Sequence, residues 1–326
     1  MKKITQVISL LALGLLAQRA VAQTSFAGYD WFDDKVMMSI SGDTLVANVG
    51  TSSSSWMVYL RPENDPVVLA NPGEKLVITV KFMLSGVNVS NTSQNFRIGI
   101  LDTPGDLRVT TDDDSPDSGA YTGYAMFGNM GQVTDNSGAF QIRERSAEGG
   151  ALSSSSVWES QDSGMGKQVI GYADDVEYTF TASIERTDNG SAKVDYSMTG
   201  GSINGTGSVS VSFLDGTPQP FVFDTLMFRP SNAVTTANTF TFTSFTVEAP
   251  EGTGGPTMGP GYFGNYEVIT GTDGQQLVDT GAWLGWVEVT SYPWVYMYST
   301  SSWEYMADPD MTGDKDAGGA WLYLVR

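Results

Sequence analysis

Hydrophobic residues alternate with polar ones along much of this chain. From Leu76 to Leu84 every second residue is large and apolar, and Phe96, Ile98 and Ile100 repeat the pattern. Successive side chains of a β-strand point to opposite faces, whereas a helical face repeats every ~3.6 residues. The alternation therefore predicts strands with one buried face and an all-β protein. The same pattern returns at residues 56–60, 178–184, 194–198 and 221–223.

Short turn motifs separate the predicted strands. Asn71-Pro72-Gly73 is a turn sequence. Asp188-Asn189-Gly190, Asn204-Gly205 and Asp215-Gly216 are typical of β-hairpins, because their residues tolerate positive φ. Many short strands joined by such turns predict an antiparallel sandwich or barrel.

The alternation slips once near the end of the predicted sandwich. Phe240 and Phe242 share one face of a strand, but the next apolar residue is Phe245 instead of position 244. One extra residue in a strand makes a β-bulge, so we predict a bulge at Thr243-Ser244. The alternative interpretation is that Phe245 faces a ligand.

The composition excludes several kinds of chemistry. The 326 residues contain no Cys and no His, which rules out disulfides, thiolate or imidazole metal sites, and Ser-His or Cys-His catalysis. With 17 Lys and Arg against 37 Asp and Glu, the net charge is −20. A chain this acidic repels phosphate backbones, so we expect no nucleic-acid partner.

The N-terminus resembles an export signal. Lys2 and Lys3 precede the short apolar run Ile8 to Ala17, and Ala20-Val21-Ala22 has the small residues at which signal peptidase cleaves. We predict a signal peptide over 1–22, a mature chain with 14 positive and 37 negative residues, and a secreted or cell-surface location. The run is too short to span a membrane, and no later segment is longer, so we expect no membrane span in the mature chain.

The composition changes after Glu248. Residues 249–262 are rich in Gly and Pro and are predicted to link a sandwich domain over 23–248 to a small β module over 263–326. Five of the eight Trp lie in this module. Two interpretations of its aromatic residues stay open: they form the module's core, or part of an aromatic face stays exposed and stacks on sugar rings. Its Trp-x-Tyr units supply the candidate ligand-binding residues Trp294, Tyr296, Trp303, Tyr305, Trp321 and Tyr323.

Two stretches resemble known proteins. Residues 94–248 contain Phe96-Arg97-Ile98-Gly99-Ile100 and Tyr121-Thr122-Gly123-Tyr124-Ala125, and they resemble a concanavalin A-like or laminin G-like jelly-roll module of secreted environmental-bacterial proteins. The tail, with Pro293-Trp294-Val295-Tyr296, resembles the aromatic repeats of wall-binding modules. The resemblance implies a jelly-roll β-sandwich and either polysaccharide recognition or a structural surface role. It assigns no catalytic residue.

Two acidic segments are candidate Ca²⁺ sites. Residues 111–119 and 308–316 each hold four carboxylates among small polar residues, and Ca²⁺ prefers such oxygen ligands. Our candidate ligands are Asp112, Asp114 and Asp117. The alternative is that both segments are solvated loops.

Basic residues also cluster on one predicted strand. In the segment from Phe140 to Arg145, Gln141, Arg143 and Arg145 fall on one face. Two arginines side by side in an acidic protein could hold an anion, so Arg143 and Arg145 join the candidate ligand-binding residues. The alternative is the polar face of an outer sheet.

These observations predict a secreted, non-catalytic protein that binds glycan or forms part of the cell surface or matrix, with the aromatic module anchoring it or mediating association. A polysaccharide lyase or glycoside hydrolase on the same fold is the second hypothesis. A self-assembling surface subunit is the third. A glycosidase needs a pair of carboxyl groups on either side of the bond it cleaves, and the sequence alone does not identify such a pair.

Overall fold

The computed structural model shows an all-β protein. It describes residues 20–21, 26–61, 66–104, 107–113, 120–250, 262–263, 266–270, 276–279, 286–289, 294–299, 302–307 and 321–324. Short 3₁₀ helices at Phe26–Gly28 and Ile203–Gly205 accompany the strands. The strands, in chain order, are β1 Ala20–Val21, β2 Trp31–Asp34, β3 Val36–Ser41, β4 Thr44–Val49, β5 Ser54–Tyr59, β6 Val67–Val68, β7 Lys75–Ser85, β8 Ser90–Asn91, β9 Phe96–Asp102, β10 Thr122–Gly128, β11 Val133–Thr134, β12 Phe140–Arg145, β13 Trp158–Met165, β14 Glu177–Arg186, β15 Ala192–Thr199, β16 Ser208–Asp215, β17 Val222–Phe223, β18 Thr225–Ser231, β19 Thr239–Glu248, β20 Tyr262–Phe263, β21 Tyr266–Thr270, β22 Gln276–Asp279, β23 Trp286–Glu288, β24 Trp294–Met297, β25 Ser302–Ala307 and β26 Trp321–Leu324.

Two large antiparallel sheets form a sandwich. The first sheet has the order β16-β15-β14-β7-β19-β4-β3, and β1 pairs with β19 beside it. The second sheet has the order β13-β12-β10-β9-β18-β5-β2. The chain passes repeatedly from one sheet to the other, so strands distant in sequence become neighbours. The predicted fold class, an antiparallel jelly-roll β-sandwich, is confirmed.

The main core lies between these sheets and follows the predicted alternation. In β7 the residues Leu76, Ile78, Val80, Phe82 and Leu84 are buried, while the residues between them are half-buried or exposed. They pack against apolar residues of the second sheet, because each sheet turns one face inward. Aromatic rings dominate the contacts: Phe82 lies 6.1 Å from Phe96 between ring centroids.

The predicted bulge in β19 is confirmed. Phe242 pairs with Phe82 and Ser244 pairs with Lys81, so Thr243 is the extra residue. The bulge turns Phe245 inward, where it is buried and its ring centroid lies 5.6 Å from that of Trp31. The alternative that Phe245 faces a ligand is therefore wrong.

Two of the three predicted hairpins form. The turn at 187–191 joins β14 to β15, and the loop containing Asn204-Gly205 joins β15 to β16. The third prediction is wrong, because β17 follows Asp215-Gly216 and pairs with β6 instead of β16. A local turn does form there, since the Asp215 carboxylate accepts a hydrogen bond from the Thr217 backbone at 2.9 Å.

A separate sheet follows the sandwich. Its strands β20 to β26 pair antiparallel in sequence order, each with the strand before and after it. This C-terminal sheet accounts for the small β module expected after the sandwich.

The predicted signal peptide and linker lie largely outside the described residues, so these boundaries stay predictions. No helix in the described part of the chain has the length and hydrophobicity needed to cross a membrane.

Candidate functional site

The outer face of the second sheet carries a second apolar cluster. Leu101, Phe127 and Met227 alternate with residues that point into the main core, so they face away from it. Two covering segments, residues 107–113 and 146–157, fold over these side chains and bury them. The outer face of the second sheet is consequently covered by packed loop segments and is not open to solvent at these positions.

Arg145 holds one covering segment in place. It is only 3% exposed, and its guanidinium donates hydrogen bonds to the backbone oxygens of Gly149 (2.5 Å) and Ala151 (2.8 Å). The indole Nε1 of Trp158 donates to the same Ala151 oxygen at 2.7 Å. The structure therefore places the predicted ligand-binding residue Arg145 beneath the segment, as part of its support.

An ion pair holds the other covering segment. Arg108 Nη2 lies 2.8 Å from Asp224 Oδ2, and both side chains are at least 90% buried. The Asp224 carboxylate also accepts hydrogen bonds from the Thr103 backbone (2.9 Å) and the Thr225 hydroxyl (2.7 Å). Burial raises the pKa of Asp224, whereas these donors and Arg108 oppose the shift. The guanidinium of Arg108 stacks 4.2 Å from the ring centroid of Tyr59.

Three further arginines form the arginine cluster, which we define as Arg97, Arg143 and Arg229. Arg97 and Arg229 occupy opposed positions on β9 and β18. The guanidinium carbons of Arg97 and Arg143 lie 4.3 and 4.6 Å from the centroid of the Phe127 ring. Phe127 therefore attracts two guanidinium groups through its π face.

The partners of the arginine cluster are neutral. Arg143 donates to the Gln94 side-chain oxygen at 2.7 Å, and Arg97 donates to the Gln94 backbone oxygen at 3.0 Å. Arg229 donates to the hydroxyls of Ser53 (2.7 Å) and Ser231 (2.6 Å). Within the described part of the chain, no carboxylate forms an ion pair with any of the three.

This arrangement disfavours the positive charge of Arg97. Burial, followed by the charges of Arg229 and Arg143, lowers the pKa of Arg97 to about 9. Burial also lowers the pKa of Arg143 and Arg229. A bound anion would offset both effects, because it would replace lost hydration and reduce the repulsion between like charges.

A cavity of about 130 Å³ opens beside Arg229. Its apolar surface comes from Ala151, Leu152 and Met227. Its polar surface comes from Arg229 and from Asp34, Lys35, Ser53, Ser54, Ser55 and Ser153. A few polar groups around an apolar patch are typical of a small-molecule site.

The sequence reasoning missed Arg97 and Arg229. Alternation alone could have placed both on the outer face, because Arg97 lies between the core residues Phe96 and Ile98, and Arg229 follows the core residue Phe228. The pair proposed from sequence, Arg143 and Arg145, lies on one face as expected, but Arg229 is the arginine that lines the cavity, and Arg97 is its partner on the neighbouring strand. Strand pairing, which is not visible in a single sequence, brings them together.

The acidic segment 111–119 is described only in part. The Asp112 carboxylate accepts a hydrogen bond from the backbone N–H of Asp33 at 3.2 Å, and Asp113 adopts a φ of 62°. Asp114 and Asp117 lie outside the described residues, as does segment 308–316. Among the described residues, no group of three or more acidic side chains is placed to hold a metal ion. Calcium binding stays a prediction.

A carboxyl pair lies at the edge where the two sheets meet. Glu144 of β12 lies within hydrogen-bond distance of Asp215 of β16, and burial followed by the Asp215 charge raises the pKa of Glu144 to about 7. The Tyr124 hydroxyl donates to Asp215 at 2.7 Å. A glycosidase separates its two carboxyl groups by roughly 5 to 9.5 Å, with the sugar between them. This hydrogen-bonded pair leaves no such space.

The C-terminal sheet places the six predicted aromatic residues on one face. Strand register puts Tyr296 opposite Trp303, and Trp294 opposite Tyr305. The next pairing puts Tyr305 opposite Tyr323 and Ala307 opposite Trp321. Opposed positions, and positions two apart in one strand, share a face of a sheet.

Exposure differs between the two faces of this sheet. Trp286 and Tyr298 belong to the same face as Tyr296, and they are 44% and 45% exposed. The rings of Tyr296 and Tyr298 contact each other edge to face, with centroids 5.2 Å apart. The opposite face carries Val287 and Met297, which are buried. The aromatic face is thus the exposed one at the positions whose side chains are described.

Comparisons with known sequences identify no relative of this chain. No family model matches it, and no curated protein matches it.

The comparison with solved structures finds several that are similar to this chain. The Emp46p carbohydrate recognition domain in its metal-free form has 12% identity and a TM-score of 0.41, over 68% of this chain and 88% of that one. Peanut lectin has 9% identity and a TM-score of 0.41, over 70% of this chain and 93% of that one. The alginate lyase from Klebsiella pneumoniae has 12% identity and a TM-score of 0.33, over 66% and 84%.

Proposed function

We propose that this is a secreted, non-catalytic glycan-binding protein, and that the aromatic face of the C-terminal sheet stacks on sugar rings of a polysaccharide or cell-envelope glycan. The observation that supports it is the exposure of Trp286 and Tyr298 opposite the buried Val287 and Met297. Water-exposed aromatic groups are costly unless a partner covers them. The C–H face of a pyranose is flat and weakly polar, which matches an aromatic ring.

Affinity electrophoresis of residues 23–326 in gels containing different polysaccharides tests this function. We expect at least one polysaccharide to retard the protein, and Trp286→Ala and Tyr298→Ala to reduce the retardation at least about fivefold in apparent Kd, roughly 1 kcal/mol each. Leu214→Ala is the matched control, because Leu214 is an apolar residue that is 61% exposed on the sandwich. Equal retardation of all variants would exclude the aromatic face.

The same preparation tests for catalysis. We expect no reducing ends and no unsaturated product after incubation with the polysaccharides that bind. Product formation would favour the alternative of a lyase or hydrolase. Sedimentation of the wild type and Trp286→Ala tests self-association, since a dimer lost in the variant would assign this face to assembly.

Calcium binding by the acidic segment 111–119 is a further part of this proposal. Asp112 stands beside Asp33, and Asp113 is the neighbouring carboxylate. A cation held there would stabilise the folded state by mass action. Chelation should lower the melting temperature by several degrees, and an unchanged melting temperature would remove calcium from the proposal.

A further inference from the structure

In the part of the chain that the structure describes, the arginine cluster has none of the acidic partners that arginines usually have in such an acidic protein. The chain carries 37 Asp and Glu, yet Arg97, Arg143 and Arg229 contact amides, hydroxyls, backbone oxygens and one aromatic ring. Arg97 is only 8% exposed. Charged groups that have lost water are normally paired with an opposite charge.

Arg108 provides an internal comparison. It stacks on Tyr59 much as Arg97 stacks on Phe127, on the same face of the second sheet. Arg108 is paired with the buried carboxylate of Asp224 at 2.8 Å. Among the described residues, the protein therefore supplies a carboxylate to one stacked arginine and none to Arg97.

The cavity beside the cluster indicates what kind of anion would fit. Arg229 and the serines at 53, 54, 55 and 153 line the cavity, so a guanidinium-bearing residue and several hydroxyl-bearing residues surround it. Asp34 and Lys35 also line the cavity, and the Lys35 ammonium lies 3.4 Å from the Asp34 carboxylate and offsets its charge. The apolar patch formed by Leu152 and Met227 suits a C–H surface.

We propose that this cavity binds one acidic sugar residue, with its anionic group against Arg229 and its hydroxyls against the serines. Arg97, opposite Arg229 on the neighbouring strand, adds a second positive charge nearby. The anionic group is a carboxylate, as in a uronate, or a sulfate ester. A guanidinium binds either group through two parallel hydrogen bonds. The site lies on the sandwich and is separate from the aromatic face of the C-terminal sheet, so it does not depend on that face.

Isothermal titration with short oligosaccharides tests the site. The probes are an oligouronate, a sulfated oligosaccharide of equal length, a neutral oligosaccharide and inorganic sulfate. We expect at least one anionic sugar to bind at least tenfold more tightly than the neutral one, with inorganic sulfate weaker than the sugar that binds. Whether the uronate or the sulfated sugar binds identifies the group. Equal binding of neutral and acidic sugars, or no binding of either acidic sugar, would overturn the proposal.

Two variants assign the binding to Arg229. Arg229→Gln removes its charge and should weaken binding of the acidic sugar at least tenfold. Lys193→Gln is the matched control, because it removes one positive charge from the first sheet. Ser53→Asp places a carboxylate next to Arg229, since the Ser53 hydroxyl is 2.7 Å from Nη2. It should raise the melting temperature and abolish binding of the acidic sugar.

The second variant keeps the test informative if Arg229→Gln fails to fold. If Ser53→Asp folds and still binds the acidic sugar with wild-type affinity, the cavity is excluded as the site. In the same titration, Trp286→Ala should bind the acidic sugar with wild-type affinity. Loss of that affinity in Trp286→Ala alone would assign the sugar to the C-terminal sheet.

Discussion

The outer faces of the two sheets have the same strand geometry but different side chains. On the first sheet, neighbouring strands align the hydroxyl residues Ser210, Ser197, Thr181, Thr79 and Thr246 in one row across five strands. This row is half-buried or exposed. On the second sheet, the corresponding face carries Leu101, Phe127 and Met227 under two covering segments.

The difference predicts where stability and the proposed ligand binding are coupled. A polar face that water covers contributes little to folding, so it can change with little effect on stability. The outer face of the second sheet buries apolar groups and also carries the arginine cluster. A substitution there is expected to affect stability and ligand binding together, whereas one on the first sheet should affect neither strongly.

The largest expected effect comes from the second apolar cluster. Trp158 is buried against Phe127, with ring centroids 5.8 Å apart, and its indole holds the Ala151 oxygen. Trp158→Ala should lower the free energy of unfolding by about 3–5 kcal/mol, because it leaves a cavity and removes one of the two donors to the Ala151 oxygen. Urea denaturation measures this.

Thr181→Ala on the hydroxyl row is the control for Trp158→Ala. Thr181 is half-buried and shares only a 3.5 Å hydroxyl contact with Thr79. Its loss should change the free energy of unfolding by less than about 0.5 kcal/mol. Similar values for the two variants would contradict the contrast between the faces.

The next effect concerns ion pairs on the two faces. Asp224→Ala should destabilise the protein by about 3 kcal/mol, because it strands the buried charge of Arg108 and the Thr103 amide. On the first sheet, Asp195 pairs with Lys193 at 3.1 Å but both side chains are well exposed. Asp195→Ala should cost less than about 1 kcal/mol. The same denaturation experiment compares them, and an equal loss would show that burial is not the deciding factor.

The smallest expected effect is the pH dependence of stability caused by Glu144, at the edge where the two sheets meet. The pKa of Glu144 is raised from its ordinary 4.5 to about 7, so the folded protein holds a proton that the unfolded chain has released. Stability should therefore fall as the pH rises from about 4.5 to about 7 and then level off. Glu144→Gln mimics the protonated carboxyl and should reduce this decline in melting temperature.

Asp43→Asn on the β3–β4 turn is the control for the pH experiment, because Asp43 is an exposed carboxyl remote from this edge. It should leave the pH profile unchanged. If Glu144→Gln also leaves the pH profile unchanged, the raised pKa of Glu144 is contradicted.

The inner faces of the sandwich were predictable from sequence, and the outer face of the second sheet was not. Alternation identified the residues of β7 that are buried, and one break in it located the bulge at Thr243. Phe127 and Met227 break no pattern, because they belong to strands that are apolar on both faces. Their burial depends on segments that are distant in sequence and fold over them.

The charged residues show the same limit. Alternation placed Arg143 and Arg145 on one face, but it could not show that Gly149 and Ala151 would cover Arg145. In the C-terminal sheet, alternation grouped the aromatic residues without indicating which face is exposed. At the described positions, the burial of Val287 and Met297 shows that the aromatic face is the exposed one.

The two late strands of the sandwich have a consequence for synthesis. β18 lies between β9 and β5, and β19 lies between β7 and β4, so each sheet is completed at its centre by one of the last strands made. A nascent chain that stops before Thr225 leaves four strand edges without their partners, and unpaired edges promote aggregation. The sandwich can close only after Glu248 has left the ribosome, whereas the C-terminal sheet can add its strands one at a time.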